Sequence, residues 1–124
     1  MSVIVHFLNG NTLEMQNHYN QKEYRDDISI EIDGFFYEVY FFTKDALEYE
    51  MRSDGFFSLP GIIVLDDISN DKIFYAINFL FDQRYFESFR GYNEILLSKS
   101  SMDRWFENRL SGFRLENLNS YTLR

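Results

Sequence analysis

The chain contains no cysteine and one proline in 124 residues. Without cysteine there is no disulfide, no thiolate nucleophile and no zinc site built on sulfur. A cysteine-free chain also suits a reducing compartment. No apolar run approaches the roughly 18 residues that a membrane-spanning helix needs. The opening stretch MSVIVHFLNG has no basic segment before an apolar one and no small-residue cleavage motif, so no signal peptide is expected and the expected compartment is the cytoplasm. Catalytic signatures are missing too: no GxSxG, no phosphate-binding GxxxxGK, no GxGxxG and no HExxH. The two histidines, His6 and His18, are expected in a strand and a loop, and neither a metal nor a cofactor is expected. Positive charge is scarce: 12 Lys and Arg stand against 20 Asp and Glu, a net charge of −8. That balance disfavours direct contact with nucleic acid or an anionic membrane, since both repel it.

Large apolar side chains are plentiful. Fourteen Phe and nine Tyr give enough burial per residue to exclude a disordered chain. The length suits one domain over residues 1–124 with a single core. The acids are unevenly placed. From Glu23 to Asp71 there are thirteen acids against three bases, a net of −10 in a chain whose total is −8. One region therefore carries all of the excess, and the remainder is slightly basic.

Periodicity organises the chain. Val3 to Leu8 reads as a strand, Asn9-Gly10 as a turn, and Thr12 to Met15 as a returning strand, with QNHYNQKEYRD a polar loop. Ile28 to Ile32 alternates apolar and polar residues, as a half-buried strand does. Asp33-Gly34 then predicts a tight hairpin turn into Phe35–Phe42, a central strand with Glu38 as its one charge. Thr43 is placed to cap a short helix with Ala46, Leu47 and Met51 on its apolar side and Gly55 as its stop. Ile62 to Leu65 is a strand. Ser69 or Asn70 opens the longest helix, expected to run to about Ser88, with Ile73, Ile77, Leu80 and Phe81 on one stripe. Phe74, Phe79, Tyr85, Phe86 and Phe89 widen that stripe, so the helix is expected to touch more than the sheet. A last helix is expected from Ser100 or Ser101 to Gly112, and the tail through Phe113 and Leu115 as an edge strand or a frayed end. The fold class is α+β: an antiparallel sheet, a meander of about four to five strands, with two to three helices packed mainly on one face.

Three features carry chemical possibilities. Asp66 and Asp67 follow the apolar run IIVL. Adjacent strand residues point to opposite sides, so the pair is poorly placed to share a proton or a metal. Both suit a helix N-terminus, and a place in a partner surface or a catalytic role are the alternatives. Glu38 reads as a carboxylate on the less covered sheet face or in a cross-strand pair, with a buried general base as the alternative. The third feature is a candidate acidic surface formed by Asp26, Asp27, Glu31, Asp33, Glu48, Glu50, Asp54, Asp66 and Asp67. Gathered on one face, these acids would steer a basic protein to the molecule.

The stretch from about Glu23 to Ile95 resembles a known family. The strand ISIEI, the strand FYEVYFFT, a helix start with Thr43 and Leu47, the loop DGFFSLPG, the run IIVLDDIS and an amphipathic helix follow in the order of the immunity protein 8 family of bacterial polymorphic toxin systems. Lys44 stands where that family has proline. The resemblance implies no catalytic residues. It implies a small cytoplasmic protein that binds and neutralises a cognate toxin domain, commonly encoded beside it. The acidity suits a basic toxin such as a nuclease. Two other readings stay open: a ligand-binding or enzymatic α+β domain using Glu38 or Asp66, and an acidic nucleic-acid mimic that blocks a DNA-binding protein.

Overall fold

A computed structural model describes residues 3–59, 61–89, 95–96 and 118–123. Its elements are β1 (Val3–Phe7), α1 (Leu13–Lys22), β2 (Tyr24–Ile32), β3 (Phe35–Thr43), α2 (Lys44–Met51), β4 (Ile62–Leu65), α3 (Asn70–Asp82), a 3-10 helix (Tyr85–Phe89), β5 (Ile95–Leu96) and β6 (Asn119–Thr122). They form the expected α+β fold. The sheet order is β4-β3-β2-β1-β6, and the short β5 also pairs with β3.

The sheet is antiparallel at every pairing but one, since β3 and β4 run parallel. The parallel pair follows from α2. It and the loop after it carry the chain from the end of β3 back to the start of β4, the long crossover that a parallel pairing requires. The β2–β3 hairpin matches its sequence signal. Asp33 and Gly34 both take positive φ, 51° and 82°, the backbone pattern of a tight turn whose twist suits the flanking strands.

Two expectations near the N-terminus are corrected. Thr12–Met15 is no strand and QNHYNQK is no loop, because both belong to α1. Thr12 is the cap, its hydroxyl accepting from the Met15 N–H at 3.2 Å, and Glu23 closes the helix with φ 60°. Only Tyr19 is buried along this helix, so no apolar stripe announced it. The second correction concerns β2, which begins at Tyr24 rather than Ile28. A bulge between Arg25 and Ile28 breaks the alternation that would have revealed the strand.

The core lies between one sheet face and the helices. Val3, Val5 and Phe7, then Ile28 and Ile30, then Val39 and Phe41 pack against Ile73 and Ile77 of α3, Phe86 of the 3-10 helix and Tyr19 of α1. Ser69 caps α3, its hydroxyl accepting from the Lys72 N–H at 3.2 Å. This helix stops at Asp82 rather than near Ser88, and Arg84 takes φ 58° before the 3-10 turn. The other sheet face carries His6, Ser29, Glu31, Phe36, Glu38 and Tyr40. The expected helix at 100–112 and the strand through Phe113 and Leu115 lie outside the described residues.

Candidate functional site

The acids of the sequence do not gather on one face. They separate into one buried acid, Asp27, one half-buried acid, Glu31, one turn acid, Asp33, and one exposed end of the molecule.

Asp27 is the clearest correction. It was expected on the surface but has no exposure, and neighbouring Arg25 is 1% exposed. The extra residue of the bulge shifts the alternation, so Arg25 opposes Phe41 on the core side of the sheet. Arg25 Nε donates to Asp27 Oδ1 at 2.8 Å, and Nη2 donates to the Gly10 carbonyl at 2.7 Å. Nη1 donates to Asn11 Oδ1 at 3.1 Å. The guanidinium lies over the rings of Phe7 and Tyr19, 4.4 and 4.7 Å from their centroids. Asp27 Oδ2 also accepts from the Asn9 N–H at 3.1 Å. The pair thus locks the β1–α1 turn onto β2. Burial, followed by the charge of Asp27, pushes the Tyr19 hydroxyl up to about 12.

Glu31 faces the second side of the sheet and accepts from His6 Nε2 at 3.0 Å. A carboxylate only accepts, so that nitrogen carries the proton. His6 Nδ1 is then the acceptor for the Ser120 hydroxyl, 2.7 Å away on β6. Burial holds the His6 pKa below its usual value, against the opposing pull of Glu31. His18 is exposed on α1 rather than in a loop. Glu38 accepts from the Tyr40 hydroxyl at 3.0 Å and lies opposite Ser29. Asp33 sits in the β2–β3 turn, at the far end of the nine-residue β2 from Tyr24, a separation of roughly 25 Å.

The exposed acids concentrate where β2 begins and where β3 and β4 end. The α1 cap Glu23 is tied to this end, since its carbonyl accepts from the Thr43 N–H at 2.9 Å. A groove of about 640 Å³ runs between the end of α1 and α2, with Glu23, Asp45, Glu48 and Glu50 on its walls and Lys22 and Arg52 as its cations. A second groove, about 390 Å³, is bordered by Glu23, Asp66 and Asp67 with no cation on its lining among the described residues. Glu23 lines both, so the two grooves adjoin at this residue. All six acids are exposed.

Asp66 and Asp67 divide their work. Asp67 accepts from the Ser69 N–H at 2.9 Å, and its hydrogen bonds with Ser69 hold its carboxyl below the usual carboxylate value. Asp66 is 3.2 Å from Lys72 Nζ. The pair is therefore part of the start of α3 and also edges the acidic end. Asp26 is exposed on β2, and Asp54 is exposed just beyond α2. Among the described residues, no group of three acidic, histidine or cysteine side chains is placed to hold a metal.

Two parts of this surface were not singled out from sequence. Glu23 and Asp45 carry no local signal that separates them from the other acids, because they line one groove only through the placement of the end of α1 beside α2. The exposed ring of Tyr49 beside Glu48 and Glu50 had no sequence signal. No family model, no curated protein and no solved structure matches the chain.

Proposed function

We propose that this chain is a binding protein that neutralises a basic partner, an immunity-type inhibitor acting on a cognate toxin domain. The observation that carries the reading is the pair of adjoining grooves with six exposed acids and two cations on their walls among the described residues. An acidic concavity of this kind raises the encounter rate with a basic protein by about 10- to 1,000-fold at low salt. In this reading Glu23, Asp45, Glu48, Glu50, Asp66 and Asp67 meet the partner, with Asp26 and Asp54 at the margin. Asp27 and Glu31 are withdrawn as contacts because each is committed to an internal partner. Asp33 lies at the opposite end of β2 from these grooves.

The test is co-expression with the C-terminal domain of a large protein encoded beside this chain, once that domain alone has been shown to kill the host. Survival of the host, with a complex recovered from the survivors, supports the reading. With both proteins expressed, continued killing rejects that partner. Stopped-flow association then tests the surface. Reversal of Glu23, Glu48 and Asp66 to Lys is expected to slow association at least about tenfold and to flatten its salt dependence. An unchanged on-rate would remove the acidic end from the interface.

A further inference from the structure

We infer that the ridge formed by Val64, Tyr75 and Phe79 anchors the partner, and that its occupant is a basic protein segment. This segment seats an apolar side chain in the groove between β4 and α3 and sets Lys or Arg on the acids beside it. The inference rests on the binding reading above and names the contact that holds the complex together.

The ridge is the part of α3 that the core does not use. Ile73 and Ile77 face the sheet and are fully buried. Tyr75 and Phe79, also four residues apart, occupy the opposite stripe. They are 67% and 52% exposed, and their rings stack with centroids 6.3 Å apart. Val64 is 52% exposed on β4. That strand is the last on its side of the sheet among the described residues. Between the strand and the helix lies a groove of about 300 Å³, floored by Ile63, Ala76 and Leu80. Two stacked aromatic rings and a β-branched side chain beside an apolar groove form the kind of centre that supplies most of an interface's affinity.

Charge selects the occupant. Asp66 lines this groove and also borders the acidic groove, so ridge and acidic end adjoin at this residue. Lys72, the cation on the ridge groove, lies 3.2 Å from Asp66. Asp71 is exposed one turn before Tyr75 on the same stripe. A second copy of the chain would bring its own net charge of −8 against this surface. An anionic membrane would be repelled in the same way. A basic protein gains from both halves: apolar burial at the centre and opposite charge at the rim.

The experiment measures equilibrium binding of the purified domain used in the co-expression test to the full chain and two variants. One carries Tyr75→Ser with Phe79→Ser. The other carries Leu13→Ser, which removes a side chain 71% exposed on α1. Circular dichroism and thermal melting establish that each variant is folded. Unchanged binding by the Leu13 variant, with at least about a tenfold loss for the Tyr75/Phe79 variant, supports the inference. If the double variant binds within twofold of the original chain, the ridge is not the anchor and the binding reading stands alone. If the original chain does not bind the domain, the binding reading falls and the ridge assignment falls with it. Sedimentation of the chain alone completes the test. A dimer that the double variant abolishes would put a second copy on the ridge and overturn the basic-segment assignment.

Discussion

Arg25 and Asp27 meet at 2.8 Å inside the protein, two residues apart on one strand and both essentially without exposure. Their pairing is what allows charge at the junction of β1, α1 and β2. Removing one partner leaves the other charged and dry. Asp27→Ala is expected to cost about 3–5 kcal/mol in urea denaturation. Replacement of neighbouring Asp26, which is exposed, is expected to change stability by no more than about 0.5 kcal/mol. Equal effects at the two positions would mean that Asp27 is not held in this way.

His6 makes stability depend on pH near neutrality. Burial lowers its pKa in the fold, so the unfolded chain binds this proton more readily. Its contribution is complete above the ordinary histidine value of about 6.5 and is lost as pH falls through the folded value. Melting temperature should therefore drop on acidification below about pH 6.5. His6→Gln should flatten that part of the profile, and an unaltered slope would remove His6 as its source.

Tyr19 acts at the other end of the scale. Its hydroxyl is raised from 10.0 to about 12, so the fold holds a proton that the unfolded chain releases. The contribution is present below pH 10 and is lost as pH rises toward 12. Alkaline unfolding monitored by circular dichroism should shift upward in Tyr19→Phe, which has no proton to lose. The loss of the hydrogen bond from Asn9 Nδ2, 2.6 Å from the hydroxyl, works against this at neutral pH.

Local backbone chemistry is testable at two positions. Gly34 has φ 82°, and a side chain there finds open space but a strained backbone. Gly34→Ala should cost about 1–2 kcal/mol. Thr43 caps α2, accepting from the Ala46 N–H at 3.2 Å. Thr43→Ala should cost about 1 kcal/mol, with Ser restoring most of it. Chemical denaturation reads both, and a neutral Thr43→Ala would show that the cap does not stabilise α2.

The sequence by itself determined the α+β class, the Asp33-Gly34 hairpin, the cap Thr43, a start of α3 at Ser69 or Asn70, and the core stripe Ile73–Ile77. Each rests on short-range chemistry: the side-chain period, a backbone angle that Gly and Asp tolerate, or a hydroxyl within reach of its own helix. It also signalled the ridge in part, because Phe79 lies off the stripe that a single packing face needs. Tertiary structure decided the rest. Helix α1 stayed hidden because its face is polar and its one buried side chain is Tyr19. Asp27 looked like any other surface acid, since one bulged residue moved Arg25 to the core side and brought the pair together. Which acids line the same groove was likewise beyond local pattern. Glu23, Glu48 and Asp66 are far apart in the chain, and Glu23 shares one groove with Glu48 and the other with Asp66 only because β3 and β4 run parallel and end beside the start of β2.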